Sequence, residues 1–200
     1  LMAASMYVVS AERSTQEMRG MLTADMGRCE SLRMLAELTL LQHVLPEFLR
    51  VHGAGETDSP PAEPLALLDT VVEPTLPLAL AALLWREDAP AEKPVVRAAA
   101  AQLAERWKLS NHDGHRLDWL LAHGDALDEA PRERWSRLQP VLMHDGTDEL
   151  LALARARAAV GRAGLEHVAF CEDRLRQPHQ VLDPAPLVTG NDLKDLGVPT

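Results

Sequence analysis

The sequence predicts an all-α protein, an irregular array of many short helices, and three observations carry that reading. Leu and Ala dominate, aromatic residues make up only 4% of the chain, and β-branched residues come mostly singly. That mix favours helices packed through aliphatic side chains. Apolar residues recur at three- and four-residue spacing in one stretch after another, separated by proline, glycine and capping residues. No strand-like alternation and no fixed-period repeat stands out.

The elements follow in order. Ser10 caps a helix from about Ala11 to Leu22, with Glu12 near the positive end of its dipole. "RCESLRMLAELTLL" sets Leu32, Leu35, Leu38 and Leu41 on one side of a second helix. Pro46 stands where "VLPEFLRVH" starts a third, since a first-turn proline loses no helical hydrogen bond. "GAGETDSPPA" reads as a loop. Helical patterns resume at "PLALLDTVV" and "TLPLALAALLWRE", and after the polar break "DAPAEKP" at "VVRAAAAQLAERWKL". Asn111 is the expected cap of "HDGHRLDWLLAH", which Gly114 weakens. Pro131 is the expected start of "RERWSRLQPVLMH", and Thr147 the cap of "DELLALARARAAV"; "EHVAFCEDRLR" follows. After "QPHQVLDPAP" comes a last short helix opened by Thr189 and Asp192 and stopped by Gly197. The expected organisation is a helical segment over 1–52, a loop or linker over 53–63, a helical body over 64–178, and the start of a tail over 179–200. Val198-Pro199 begins a turn without a sequel, and "LMAAS" reads as mid-helix, so the expectation is a piece of a longer chain.

The net charge of −10 argues against a strongly basic nucleic-acid-binding domain. The charge is uneven: counted from the sequence, residues 1–60 carry −3, 61–130 carry −6 and 131–200 only −1. A polyanion-binding surface would therefore be local and would lie in the last third. The longest apolar run, "LPLALAALLW", is too short to cross a bilayer, so no membrane partner is expected. Two distant cysteines, Cys29 and Cys171, read as buried reduced thiols in a cytoplasmic protein.

Motifs for chemistry are weak. "HDGH" (His112, Asp113, His115) with His123 lacks the converging donors of a zinc site. "MHDG" (Met143 to Gly146) reads as a helix end before a glycine turn, so no metal residues are assigned. No nucleophile elbow, phosphate loop or paired acids for phosphoryl transfer occur. Trp85, Trp107, Trp119 and Trp135 read as core before base-stacking platforms. Basic sets stand at Arg132, Arg134 and Arg137, at Arg155, Arg157 and Arg162, and at Arg174 and Arg176. Arg134 and Arg137 are expected on one helix face, whereas Arg155 and Arg157 are not. Solvated helix surface is the ordinary reading of all three sets.

Several phrases, in order, resemble the carboxy-terminal half of the bacterial tRNA nucleotidyltransferase and poly(A) polymerase family, the CCA-adding type. They are "VVSAERSTQEMRGML", "GRCESLRMLAELTLLQHVLPE", "LALAALLWRE", "RWKLSNHDGHRLDWLL", "RWSRLQPVLMHDGTDELLALARA" and the tail phrase "PLVTGNDLKDLGVPT". The tail phrase is the most specific. The resemblance implies a poly(A) polymerase C-terminal-region-like fold, a helical body and tail that grip the elbow of tRNA through its backbone. The catalytic head, with Mg2+ and ATP or CTP, and the nucleotide-selecting neck would lie upstream of residue 1. This piece would then hold no catalytic residue or cofactor and would be inactive alone. Its expected partner is tRNA or another structured RNA, with a homodimer left open. Candidate RNA contacts are Lys108, Arg132, Arg134, Arg137, Arg155, Arg157, Thr189, Gly190 and Lys194. Where relatives carry a His-Asp phrase this chain reads Trp85-Arg86-Glu87-Asp88, so phosphohydrolase activity is not implied. The alternative is a non-catalytic helical scaffold or dimerisation module whose arginines are tied to Glu133, Glu149, Glu172 and Asp173.

Overall fold

The structure, a computed structural model, describes residues 11–53, 60–87, 93–162 and 164–184. Among these residues every regular element is an α-helix. They are α1 (Ala11–Leu22), α2 (Arg28–Glu37), α3 (Leu41–Val44), α4 (Pro46–His52), α5 (Ala62–Thr70) and α6 (Leu76–Leu84). Then come α7 (Lys93–Arg106), α8 (Asn111–His123), α9 (Trp135–Leu142), α10 (Thr147–Ala159), α11 (Leu165–Leu175) and α12 (His179–Leu182). The all-α class expected from composition and periodicity is the class observed. Ser10, Asp88 and everything from Ala185 onward lie outside the described residues, including the predicted last helix.

The centre is α6. All nine of its residues are buried, as befits a helix apolar on every side. Thr75 starts it, its hydroxyl oxygen accepting from the Leu78 amide at 3.3 Å, and Pro77 sits in the first turn where no helical bond is lost. Helices α8, α5, α4, α10 and α1 pack around it. One hydrophobic cluster runs from Met18 to Cys171 and takes in residues on both sides of segment 53–63, which separates elements along the chain but not in the core. Cys29 and Cys171 are free and buried within it. Burial, with Glu172 nearby, pushes the Cys171 thiol up to about 11, and burial also raises that of Cys29, helped by Asp69.

Several predicted boundaries move, for local reasons. The stretch from Arg28 to Leu41 is not one helix, because Thr39 adopts a left-handed φ of 58° and stops α2. Its amide donates to Ala36 O (2.8 Å) and the Leu40 amide to Leu35 O (2.8 Å), the paired bonds of a Schellman stop. Leu38 consequently faces solvent and Leu41 serves the next helix. The same stop ends α7 at Lys108 (φ 50°), where Leu109 N–H reaches Ala104 O, and α10 at Gly161 (φ 77°). Ser110, not Asn111, caps α8, its hydroxyl oxygen accepting from the Asp113 amide at 3.0 Å. Residues 124–133 form turns, so α9 begins four residues after Pro131. Thr147 is no cap: its hydroxyl contacts the carbonyls of Val141, Leu142 and His144 at 2.8, 3.1 and 2.7 Å and staples the end of α9 to the start of α10.

The largest departure is Arg157. Its side chain is 1% exposed, on the inner face of α10. Nε donates to Glu87 Oε2 (2.9 Å), Nη1 to Gly124 O (2.6 Å) and Asp128 Oδ1 (2.9 Å), and Nη2 to Asp128 Oδ2 (2.8 Å) and Glu87 Oε1. All five guanidinium donors are thus used. The cation also lies 4.9 Å from the Trp85 ring centroid, and the Trp85 indole N–H donates to Glu87 Oε2 at 2.7 Å. A Cβ on Gly124 would fall 2.2 Å from Trp85 Cζ3, so only glycine lets that turn approach the ring. Burial pushes the Glu87 carboxyl up, but the hydrogen bonds from Arg157 and Trp85 and the charge of Arg157 outweigh it and hold Glu87 below its ordinary value. Arg157 is therefore corrected from a candidate RNA contact to a structural cation.

Breaking this cluster leaves two carboxylates facing inward, so Arg157→Ala should cost about 3–5 kcal/mol in urea unfolding. Because Glu87 is depressed in the folded state, its contribution is fully present above the ordinary carboxyl range and is lost as pH falls through the depressed value. Thermal melts between pH 7 and 3 should therefore fall more steeply for the wild type than for Glu87→Gln. At the strained stop, Thr39→Gly should raise stability by about 0.5–1 kcal/mol, read from the urea midpoint, since glycine adopts positive φ without the Cβ penalty.

Candidate nucleic-acid interface

The predicted contacts fall into separate places. Lys108, at the left-handed stop of α7, extends its Nζ to Glu12 Oε1 on α1 at 2.7 Å. Arg155, on the outer side of α10, holds Glu172 of α11, with Nε at 2.9 Å from Oε1. Arg155 and Arg157, two residues apart, point in different directions as their spacing demands. Thr189, Gly190 and Lys194 lie outside the described residues.

Among the described candidates, Arg132, Arg134 and Arg137 stand close together along the chain at the entrance to α9. Arg132 is 82% exposed and pairs with Glu129 at 2.9 Å, and Arg137 is 75% exposed with Glu133 at 3.8 Å. Arg134 is exposed and occupies the N-cap position of α9, with Arg137 in the first turn of that helix. The Arg134 amide donates to Glu133 Oε1 at 2.8 Å. These pairs are local and solvated, each worth about 0–1 kcal/mol, so a phosphate can replace the carboxylate at little cost. The edge is short, and it is basic only because three guanidiniums crowd into six residues.

A second assembly was not legible as a unit. "HDGH", His123 and "MHDG" converge on one cleft of about 580 Å³ lined by Arg97 of α7, His112, His115, Trp119 and His123 of α8, and His144 of the α9–α10 turn. Trp119 stacks on His144 with centroids 3.9 Å apart and planes 8° from parallel, and on His123 at 4.9 Å and 27°. Arg116, almost buried, holds Asp145 at 2.9 Å and Glu149 at 2.7 Å. Arg97 holds Asp118 by two bonds of 2.7 Å. The His123-to-Trp119 spacing of four residues was visible in the sequence as one helix turn; the arrival of His144 was not. Among the described residues no three His, Cys, Asp or Glu are grouped so as to hold a metal ion, and no step through a metal is assigned to them. No described helix is long and apolar enough to cross a membrane.

No family model matches this chain, and neither a curated protein nor a solved structure matches it.

Gly146 lies against two of the side chains that line the cleft, Arg116 and Trp119. A Cβ there would lie 2.7 Å from Arg116 Nη1 and 2.9 Å from Trp119 Cζ3, and both side chains are pinned. Gly146→Ala should cost about 1–3 kcal/mol of stability, the range for forced overpacking, and should change the emission of Trp119.

Proposed function

We propose that this chain is an RNA-binding helical body of the tRNA nucleotidyltransferase and poly(A) polymerase type, which holds tRNA or another structured RNA by its backbone. The observation that carries the reading is the exposed arginine edge Arg132, Arg134 and Arg137, of which Arg134 and Arg137 open one of the phrases resembling that family and Arg132 stands just before it. Guanidiniums on a solvated turn bind phosphates without reading bases, which suits a partner recognised by shape. Nucleotide addition from CTP or ATP, with Mg2+, would belong to a head outside this sequence, and the residues here supply grip alone.

A second reading, a helical scaffold without RNA contact, draws support from the ion pairs. Arg155 is engaged by Glu172, Arg176 lies 3.9 Å from Asp173, and Glu149 is held by Arg116. These are the acids that such a scaffold would use to neutralise its own arginines.

Fluorescence anisotropy with folded tRNA and with an unstructured RNA of equal length separates the two. The first reading expects preference for tRNA that weakens as salt rises. It also expects the double variant Arg134→Ala, Arg137→Ala to lower the slope of log K against log salt by about 2, one for each phosphate that is no longer neutralised. Binding unchanged in that variant, or equal binding of the two RNAs, would overturn it, and no binding of either RNA would favour the scaffold.

A further inference from the structure

We propose that the exposed face of α2 is a self-association surface, on which a second copy of this chain seats its own α2 antiparallel across a two-fold axis. The surface does not depend on the α9 edge binding RNA.

The apolar content comes first. Eight large hydrophobic side chains are exposed among the described residues, and three of them belong to α2 and its entry: Met26 (87%), Met34 (56%) and Leu38 (55%). The other five, Val72, Val95, Met143, Leu165 and Val181, come one to an element or turn, which is ordinary for a surface. On α2 itself Leu32 and Ala36 are buried against the core, while Glu30, Arg33, Met34, Glu37 and Leu38 are exposed. Their spacing of i, i+3, i+4, i+7 and i+8 is that of one helix face. Leu38 keeps this register although α2 stops there, because its amide still donates to Met34 O at 3.0 Å. The face therefore carries an apolar row, Met34 and Leu38, beside a charged row, Arg33 and Glu37.

Charge selects the occupant. Among the described residues Arg33 pairs with Glu30 at 3.3 Å, with both side chains more than half exposed, and Glu37 meets no cation. So exposed a pair is readily exchanged for another. A basic partner would oppose Arg33 and an acidic one would oppose Glu37. A second copy supplies both signs, one helix turn apart.

Symmetry then selects the direction. In a two-fold interface every contact is made twice. With the axis along the helices, the apolar row of one copy would face the charged row of the other. With the axis across them, the helices run antiparallel and each row meets its own kind. One register then satisfies both rows. It sets Arg33 of each copy opposite Glu37 of the other, and it places each Met34 between Met34 and Leu38 of the other copy. The flexible methionine fits such a contact without a preformed hole. One helix face per copy makes a small interface, so the association is weak, with a dissociation constant of about 10–100 μM.

The test is sedimentation velocity of the whole chain over about 5–500 μM at physiological salt, which screens the net charge of −10 on each copy. The wild type should pass from monomer to dimer across that range, and Met34→Lys should weaken the association at least about tenfold by burying a charge in the apolar row. Arg33→Glu and Glu37→Arg should each weaken it about tenfold by setting like charges opposite one another. An equimolar mixture of those two variants should associate as the wild type does, because each then meets its opposite sign. All three positions are exposed, so every variant should keep the wild-type circular dichroism. A wild type that is monomeric at every concentration would overturn the proposal and leave the face to a different kind of partner. A dimer that Met34→Lys leaves intact would also overturn it, since the contact would lie elsewhere. The same holds for a mixture of the two charge variants that fails to associate.

Discussion

A buried cation must find its counter-charges inside the protein, and Arg157 imposes that condition on two distant parts of this chain. It draws in the end of α6 through Glu87 and the turn region after α8 through Gly124 and Asp128. Trp85 closes over it and at the same time binds Glu87. The cation and its two carboxylates hold one another in place, so that removing Arg157 leaves both carboxylates without their counter-charge. The Glu87 carboxylate is thereby committed to an internal cation.

Around this anchor the helices stay short because the chain stops them actively. Three of them end in the same pair of backbone bonds around a left-handed residue, and only one of those residues is glycine. Thr39 and Lys108 accept a conformation unfavourable to a Cβ because the stop delivers the next segment to the core: Leu41 after Thr39, and the capped start of α8 after Lys108. The positions of α3 beside α4 and of α8 beside α6 thus depend on strained stops as much as on apolar faces. The cleft along α8 inherits its shape from this arrangement, with α7 on one side and the α9–α10 turn on the other.

The acidic balance of the chain is distributed as neutralised pairs. Most of the described arginines of the last third meet a carboxylate, some from the adjacent turn and others from another helix. Pairs of the first kind are exposed and exchangeable; a deeply buried one such as Arg157 is not. A net charge therefore says little about where an anion can land. What matters is which guanidiniums can leave their partners, and that is a property of burial.

The helical class, the proline start of α4 and the helical pattern of α6 were legible in the sequence. They depend on residues within one or two turns of each other, where spacing and capping chemistry act directly. The stop at Thr39 was not legible, because threonine gives no sign of positive φ. Nor was the late start of α9, since Pro131 is as compatible with a turn as with a first helical turn. The functional residues divide in the same way. Spacing correctly placed Arg155 and Arg157 on different sides of one helix, but it could not say which side faced inward. Glu87 lies 70 positions from Arg157 and His144 lies 25 positions beyond Trp119, so only tertiary packing decided that one arginine became a core cation and four scattered histidines came to share a cleft. Local chemistry set the elements; desolvation and long-range pairing, which act only after packing, assigned their charges a purpose.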